Sequence, residues 1–199
     1  MAQTLILASA SPARKAVLEN AGVAFDVRPS RVDEDELKRS LKAQNMPAKN
    51  IAEALAEAKA LKISRMQPEA LVLGGDQILV CNDVLFDKPM DMDHAAAHLR
   101  ALSGKWHSLE TALVLAEGGQ SIWRHLSAAK LKMRQLSDRF IAEYLDQIGP
   151  AALTSVGAYQ LEGLGAQLFE KIEGDFFTIL GLPVLPVLQQ LRLRAMVPS

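Results

Sequence analysis

The chain has 199 residues, 49% of them hydrophobic and 23% charged, and its 22 Lys and Arg against 23 Asp and Glu leave a formal net charge of -1. That is the composition of a soluble globular protein long enough to bury a substantial core, and it offers no basic field for following a nucleic-acid backbone. A single cysteine, Cys81, excludes intrachain disulfides and cysteine-based zinc sites.

The opening "MAQTLILASASPARK" has no basic leader and only a short apolar run. No secretory signal and no membrane span are therefore expected, and the expected compartment is the cytoplasm. "TLILA" has the form of a short buried strand. Pro12 suits the first turn of a helix through "ARKAVLENAG", with Val17 and Leu18 inward and Gly22 as its stop. "VAFDVRP" reads as a second strand, followed by the polar stretch "SRVDEDELKRS". In "AKNIAEALAEAKALKISRM" the residues Ile51, Leu55, Ala58 and Ile63 recur near helical spacing, and Pro68 closes that helix. "ALVLGGDQILVCNDVLF" reads as strand, Gly-Gly interruption and strand, with a hairpin turn at Asn82-Asp83.

"DMDHAAAHLRALSG" is expected to be a capped helix ending at Gly104, and "HSLETALVLAEGGQSIWRHLSAAKLKMRQL" a long hairpin about its Gly-Gly turn. "SDRFIAEYLDQIG" predicts another capped helix. Glycines at 157, 163, 165 and 174 break the next segment. The last helix starts near Pro183. Alternating strands and helices with a central hairpin imply an α/β fold on a mixed sheet, without repeats or linkers.

Several stretches could carry chemistry. At "SASPARK" a strand gives way to a helix, where free N–H groups and the helix dipole favour an anion. Ser9 and Ser11 can donate to it and Arg14 can grip phosphate oxygens, or the serines can simply cap the helix while the cations face solvent. Asp33, Glu34, Asp35 and Glu36 form either a solvated loop or the acidic first turn of a helix. Asp76 follows two glycines at the end of an apolar strand, where a carboxylate can hold Mg²⁺ or activate water. Lys88 lies beyond the next strand, held extended by Pro89. His94 and His98 can share a helix face as zinc ligands do, but lack the acidic residue of the familiar motif. His107 and His125, single residues in strands, read as structural.

Taken together and in order, these stretches resemble the Maf family of nucleoside triphosphate pyrophosphatases across almost the whole chain. "LILASASPARK" is similar to the family's Ser-x-Ser-Pro-x-Arg loop and "VDE" to its acidic motif. "AEAKA" carries its helix lysine as Lys59, and "GGDQILV" with "LFDKP" is similar to its Gly-x-Asp and Lys-Pro motifs. "LSGKWHSLETALVL" and "VGAYQLEGLGAQLFEKIEGDFFTILGLP" resemble its later signatures.

The resemblance implies a single domain over residues 1–199, built as an elongated mixed sheet flanked by helices, with two lobes and a central cleft. It implies a metal-dependent hydrolase, using Mg²⁺ or Mn²⁺, that converts a nucleoside triphosphate to monophosphate and pyrophosphate and clears non-canonical nucleotides. A homodimer is also implied, with no nucleic-acid partner. Asp76 would be the proton acceptor, with Lys59 and Lys88 catalytic. Ser9, Ser11, Arg14, Lys59, Lys88, Gln77 and Glu162 would bind substrate, and Asp33, Glu34 and Asp76 the metal.

Gln77 and Glu162 resemble the branch acting on 7-methyl-GTP, whereas "GAYQ" leans toward the dTTP and UTP branch. Ala13, Ser155 and Leu164 depart from that second branch, so both substrates stay open. The alternatives are a related inosine-triphosphatase-type enzyme and a nucleotide-binding regulator of septum formation without essential catalysis.

Overall fold

A computed structural model describes residues 3–198. Strand β1 (Leu5–Leu7) leads into helix α1 (Pro12–Asn20), which Ser11 caps from an extended conformation by accepting from the Arg14 backbone N–H. Strand β2 (Asp26–Val27) pairs in parallel with β1. Helix α2 (Glu34–Ala43) follows, so the acidic run is the first turn of a helix. Asp33 caps it, Glu34, Asp35 and Glu36 sit at its positive end, and Lys42 lies in its last turn.

Helix α3 (Ala48–Met66) and strand β3 (Leu71–Cys81) come next, and β1 also pairs in parallel with β3. The expected Gly-Gly interruption is corrected, because β3 runs unbroken through Gly74 and Gly75. Strand β4 (Val84–Phe86) returns antiparallel along β3. Its turn places Asn82 and Asp83 at φ 49° and 62°, as the twist of a tight hairpin requires. The chain continues through α4 (Met92–Leu102), β5 (Trp106–Glu117), β6 (Gln120–Met133) and α5 (Asp138–Ile148). Short 3₁₀ turns then lead to β7 (Phe169–Glu173), α6 (Phe176–Ile179) and α7 (Val184–Leu193). Strand β7, unforeseen in the glycine-broken segment, pairs antiparallel with β6. The sheet is a mixed, seven-stranded one in the order β2-β1-β3-β5-β6-β7, with β4 on β3, and helices flank it.

The chain divides into two compact units. The first contains the described residues up to Gln77, Thr111–Ser127 and the chain from Phe176 onward, and the second contains Ile78–Glu110 and Ala128–Asp175. In the first, Leu5, Leu7, Leu18, Leu71, Leu73 and Leu113 form a core closed by Leu182, Val187 and Leu191 of the C-terminal segment. In the second, α4 packs on α5 and on the 3₁₀ turns after it, burying Leu99, Leu102, Ile141 and Tyr144.

Helix α3 buries Ile51, Ala52, Leu55, Ala56, Lys59, Ala60 and Ile63. The buried stripe thus passes through Lys59, and Ala58 is only half-buried, which corrects the apolar pattern by one position. Gly74 explains how α3 reaches β3 so closely. A Cβ there would fall on the Ala56 carbonyl and within 2.8 Å of the Ala60 methyl. Gly74→Ala is expected to cost ~1–3 kcal/mol, the range for overpacking a filled core. Urea denaturation checks this, and an unchanged midpoint would contradict so tight a packing.

Candidate active site

The loop between β1 and α1 is tied together by its own hydroxyls. Ser9 is buried, and its Oγ accepts from the Ser11 backbone N–H at 3.2 Å and from Arg14 Nη1 at 3.1 Å. Both lone pairs are then used, which leaves its O–H to donate outward. Ser11 Oγ accepts from the Arg14 N–H at 3.4 Å and so acts as the helix cap. The buried Arg14 guanidinium donates through Nε to the Gly181 carbonyl at 2.8 Å. Its fork has N–H groups beyond those that Gly181 and Ser9 engage. Burial pushes the Arg14 pKa down, and the Asp76 and Glu34 carboxylates oppose that shift. A guanidinium stays protonated regardless, so the loop holds a permanent positive charge beside two carboxylates.

Those carboxylates meet on Lys59. Its Nζ lies 2.7 Å from Asp76 Oδ1 and 2.8 Å from Glu34 Oε2. Lys59 and Asp76 are buried, whereas Glu34 is partly open to solvent. The second oxygen of Asp76, Oδ2, is buried without a hydrogen-bond partner. A buried carboxylate oxygen left bare is costly and calls for a function. It fits a hard divalent cation, which takes one or two carboxylates and completes its shell with substrate phosphates and water. Asp33 is placed differently, since its Oδ1 accepts from the Glu36 N–H and caps α2. The described residues contain no group of three His, Cys, Asp or Glu able to hold a metal. Glu34 and Asp76 are therefore the pair the fold brings together.

The first unit thus assembles Ser9, Arg14, Glu34, Lys59 and Asp76. Gln77, next to Asp76, directs Nε2 at Thr111 Oγ1 and the Thr178 carbonyl, both at 2.8 Å. Thr111 was missed by sequence reasoning, and its only signal is a hydroxyl immediately before the apolar run "ALVLA". Lys88 and Glu162 belong to the second unit, where both are exposed, Lys88 before the buried Pro89 and Glu162 in a turn near Tyr144. His94 and His98 do share a face of α4, with ring centroids 4.2 Å apart, and His94 Nδ1 accepts from the Met90 N–H.

The second unit also buries a polar pair. His107 Nε2 and the Tyr159 hydroxyl are 2.8 Å apart, and Tyr144 donates to the Ala158 carbonyl at 3.2 Å. These bonds pin the segment that leads to Glu162. Burial lowers the His107 pKa from 6.5 to about 4. Between those values the unfolded chain binds the extra proton, so the folded state loses stability as pH falls through that window. His107→Gln keeps a hydrogen-bonding group and removes the titration. It should flatten the decline in the denaturation midpoint between pH 7 and pH 4.5, and a decline as steep as wild type would remove His107 as a cause.

Comparison with known proteins shows the family. The family model described as Maf-like protein matches residues 4–194. A 7-methyl-GTP pyrophosphatase of Rhizobium meliloti (strain 1021) is 53% identical over 192 residues, covering 96% of both chains. A nucleoside triphosphate pyrophosphatase of Hyphomonas neptunium is 50% identical over 199 residues, covering 100% of both. A nucleoside triphosphate pyrophosphatase of Paramagnetospirillum magneticum is 52% identical over 187 residues, covering 94% of this chain and 96% of its own. With the family model matched over residues 4–194 and relatives about half identical to it, the chain belongs to the Maf-like protein family.

Proposed function

We propose that the protein is a cytoplasmic nucleoside triphosphate pyrophosphatase that prefers 7-methyl-GTP and acts as a homodimer. The observation that carries the reading is the bare, buried Asp76 Oδ2 on a carboxylate held by Lys59, beside the buried Arg14. Water attacks the α-phosphorus, and its proton passes to Asp76. The new bond joins the water oxygen to that phosphorus. The bond to the oxygen bridging the α- and β-phosphorus breaks, and pyrophosphate leaves with the electron pair.

Ser9 and Arg14 hold phosphate oxygens, and Lys59 fixes the orientation of Asp76 while adding positive charge. Glu34 and Asp76 are the residues that would hold a divalent cation, which when bound neutralises phosphate charge and polarises phosphoryl oxygens. Lys88 and Glu162 enter through their motifs, Lys88 on phosphate and Glu162 on the base. A carboxylate only accepts hydrogen bonds, which suits the donor edge of a guanine. The name of the Rhizobium meliloti relative, 7-methyl-GTP pyrophosphatase, supports the same base.

A panel of nucleoside triphosphates with Mg²⁺ or Mn²⁺ tests this. Pyrophosphate release, fastest from 7-methyl-GTP and abolished by EDTA, is the expected result. Orthophosphate release would overturn the reaction, and activity in excess EDTA would overturn the metal requirement. Faster turnover of UTP or dTTP would overturn the substrate preference.

A further inference from the structure

Helix α6 and the turn that follows it touch Gln77, Thr111 and Arg14, which come from distant parts of the chain. The Thr178 carbonyl accepts from Gln77 Nε2 at 2.8 Å and from Thr111 Oγ1 at 3.1 Å, and the Ile179 carbonyl lies 3.3 Å from the same Nε2. Two residues past Ile179, in the turn that follows α6, the buried Gly181 carbonyl takes Arg14 Nε at 2.8 Å. Arg14 is also confined on two sides by glycines. A Cβ on Gly181 would stand 3.4 Å from Arg14 Nε, and one on Gly75 would stand 3.3 Å from it. Gly181 has φ +82°, a conformation that glycine adopts without strain.

Counting protons fixes the direction of the Gln77 amide. The Thr111 hydroxyl is buried and spends its proton on the Thr178 carbonyl, so toward Gln77 it can only accept. Every group facing Nε2 is then an acceptor. A flipped amide would set Oε1 against those lone pairs, so only one orientation satisfies the site. Both Nε2 protons are consumed internally, and Oε1 points the other way.

We infer that Thr111 and the carbonyls of Thr178, Ile179 and Gly181 form a positioning clamp that presets Gln77 as an acceptor-only contact and fixes Arg14 beside Asp76. The inference rests on the proposed pyrophosphatase reading for its catalytic consequence, but not for the clamp itself. Thr111 is a positioning residue, since it is buried and acts through Gln77. The ligand group that meets Gln77 must then be a hydrogen-bond donor, and a ligand acceptor placed there is rejected.

The test compares wild type with Thr111→Val, which keeps the shape and removes the hydroxyl, and Thr111→Ser, which keeps the hydroxyl. The Gln77 side-chain amide resonances are assigned by their absence in Gln77→Met, and their exchange with solvent is measured. Protected protons are expected in wild type and in Thr111→Ser, with protection lost in Thr111→Val. The ratio of kcat/KM for 7-methyl-GTP and UTP should move about fivefold in Thr111→Val, the scale of one neutral hydrogen bond, and stay at the wild-type value in Thr111→Ser. Gln77 protons exchanging as fast as an exposed glutamine in wild type would overturn the clamp, whichever variants fold. So would an unchanged ratio in a folded Thr111→Val. If wild type protects the amide but hydrolyses neither triphosphate, the clamp stands and the pyrophosphatase reading falls.

Discussion

Asp76→Asn is expected to fold as wild type does and to lose about 10²–10⁴ of its turnover rate, the usual contribution of a general base. The size of the side chain is unchanged. Its carbonyl oxygen can still take the place of Oδ1, 2.7 Å from Lys59 Nζ. Lys59 also retains Glu34, so its charge is not stranded. What changes is the buried Oδ2, which becomes a donor that can neither take a proton nor ligate a cation. Steady-state kinetics with a thermal melt separates loss of chemistry from loss of fold. A variant within a few-fold of the wild-type rate would move the proton acceptor elsewhere, with Glu34 the nearest carboxylate on the same lysine.

Lys59→Met removes the shared cation and should produce the largest loss of stability of any change in the site. It leaves the buried Asp76 carboxylate without its partner, a situation that typically costs about 3–5 kcal/mol. Glu34 is partly solvated and contributes little to that loss. Turnover should fall as well, because Asp76 loses the contact that orients it. The double variant Lys59→Met/Asp76→Leu should regain most of the stability and none of the activity, since removing both charges removes the penalty. Urea titration of the single and double variants checks this. A single variant as stable as wild type would show that the pair is not coupled.

The elements that could be read from the sequence are those whose signals are local. Ser11 before Pro12, Asp91 before α4 and Ser137 before α5 each cap a helix through the side chain, and such caps need no tertiary partner. The tight turns at Asn82-Asp83 and Gly118-Gly119 take the positive φ values those residues favour. The misreadings are tertiary. Gly74 and Gly75 look like a break, yet they serve close approach by α3 and by Arg14, and β3 passes through them intact. Strand β7 is mostly exposed, so "FEKIE" carries no apolar run to announce it. Helix α2 buries no residue fully, which leaves only its Asp33 cap and acidic first turn as signals.

The site follows the same division. The chemistry-bearing residue types and their order pointed to the Maf family, and Ser9, Arg14, Lys59 and Asp76 could be named from those motifs. Periodicity alone placed Ala58 on the inward face, whereas Lys59 takes it because Asp76 receives its charge. The supporting partners of Gln77 and Arg14 come from residues 111 and 178–181, and no local pattern links them to "GGDQ" or "SASPARK".

Attack of water on the α-phosphorus is the central claim, and isotope placement tests it most directly. Hydrolysis of 7-methyl-GTP is run in water carrying a heavy oxygen isotope, and the products are weighed by mass spectrometry. The label is expected in the nucleoside monophosphate, with unlabelled pyrophosphate released beside it. Label in the pyrophosphate would mean attack on the β-phosphorus and would contradict the account.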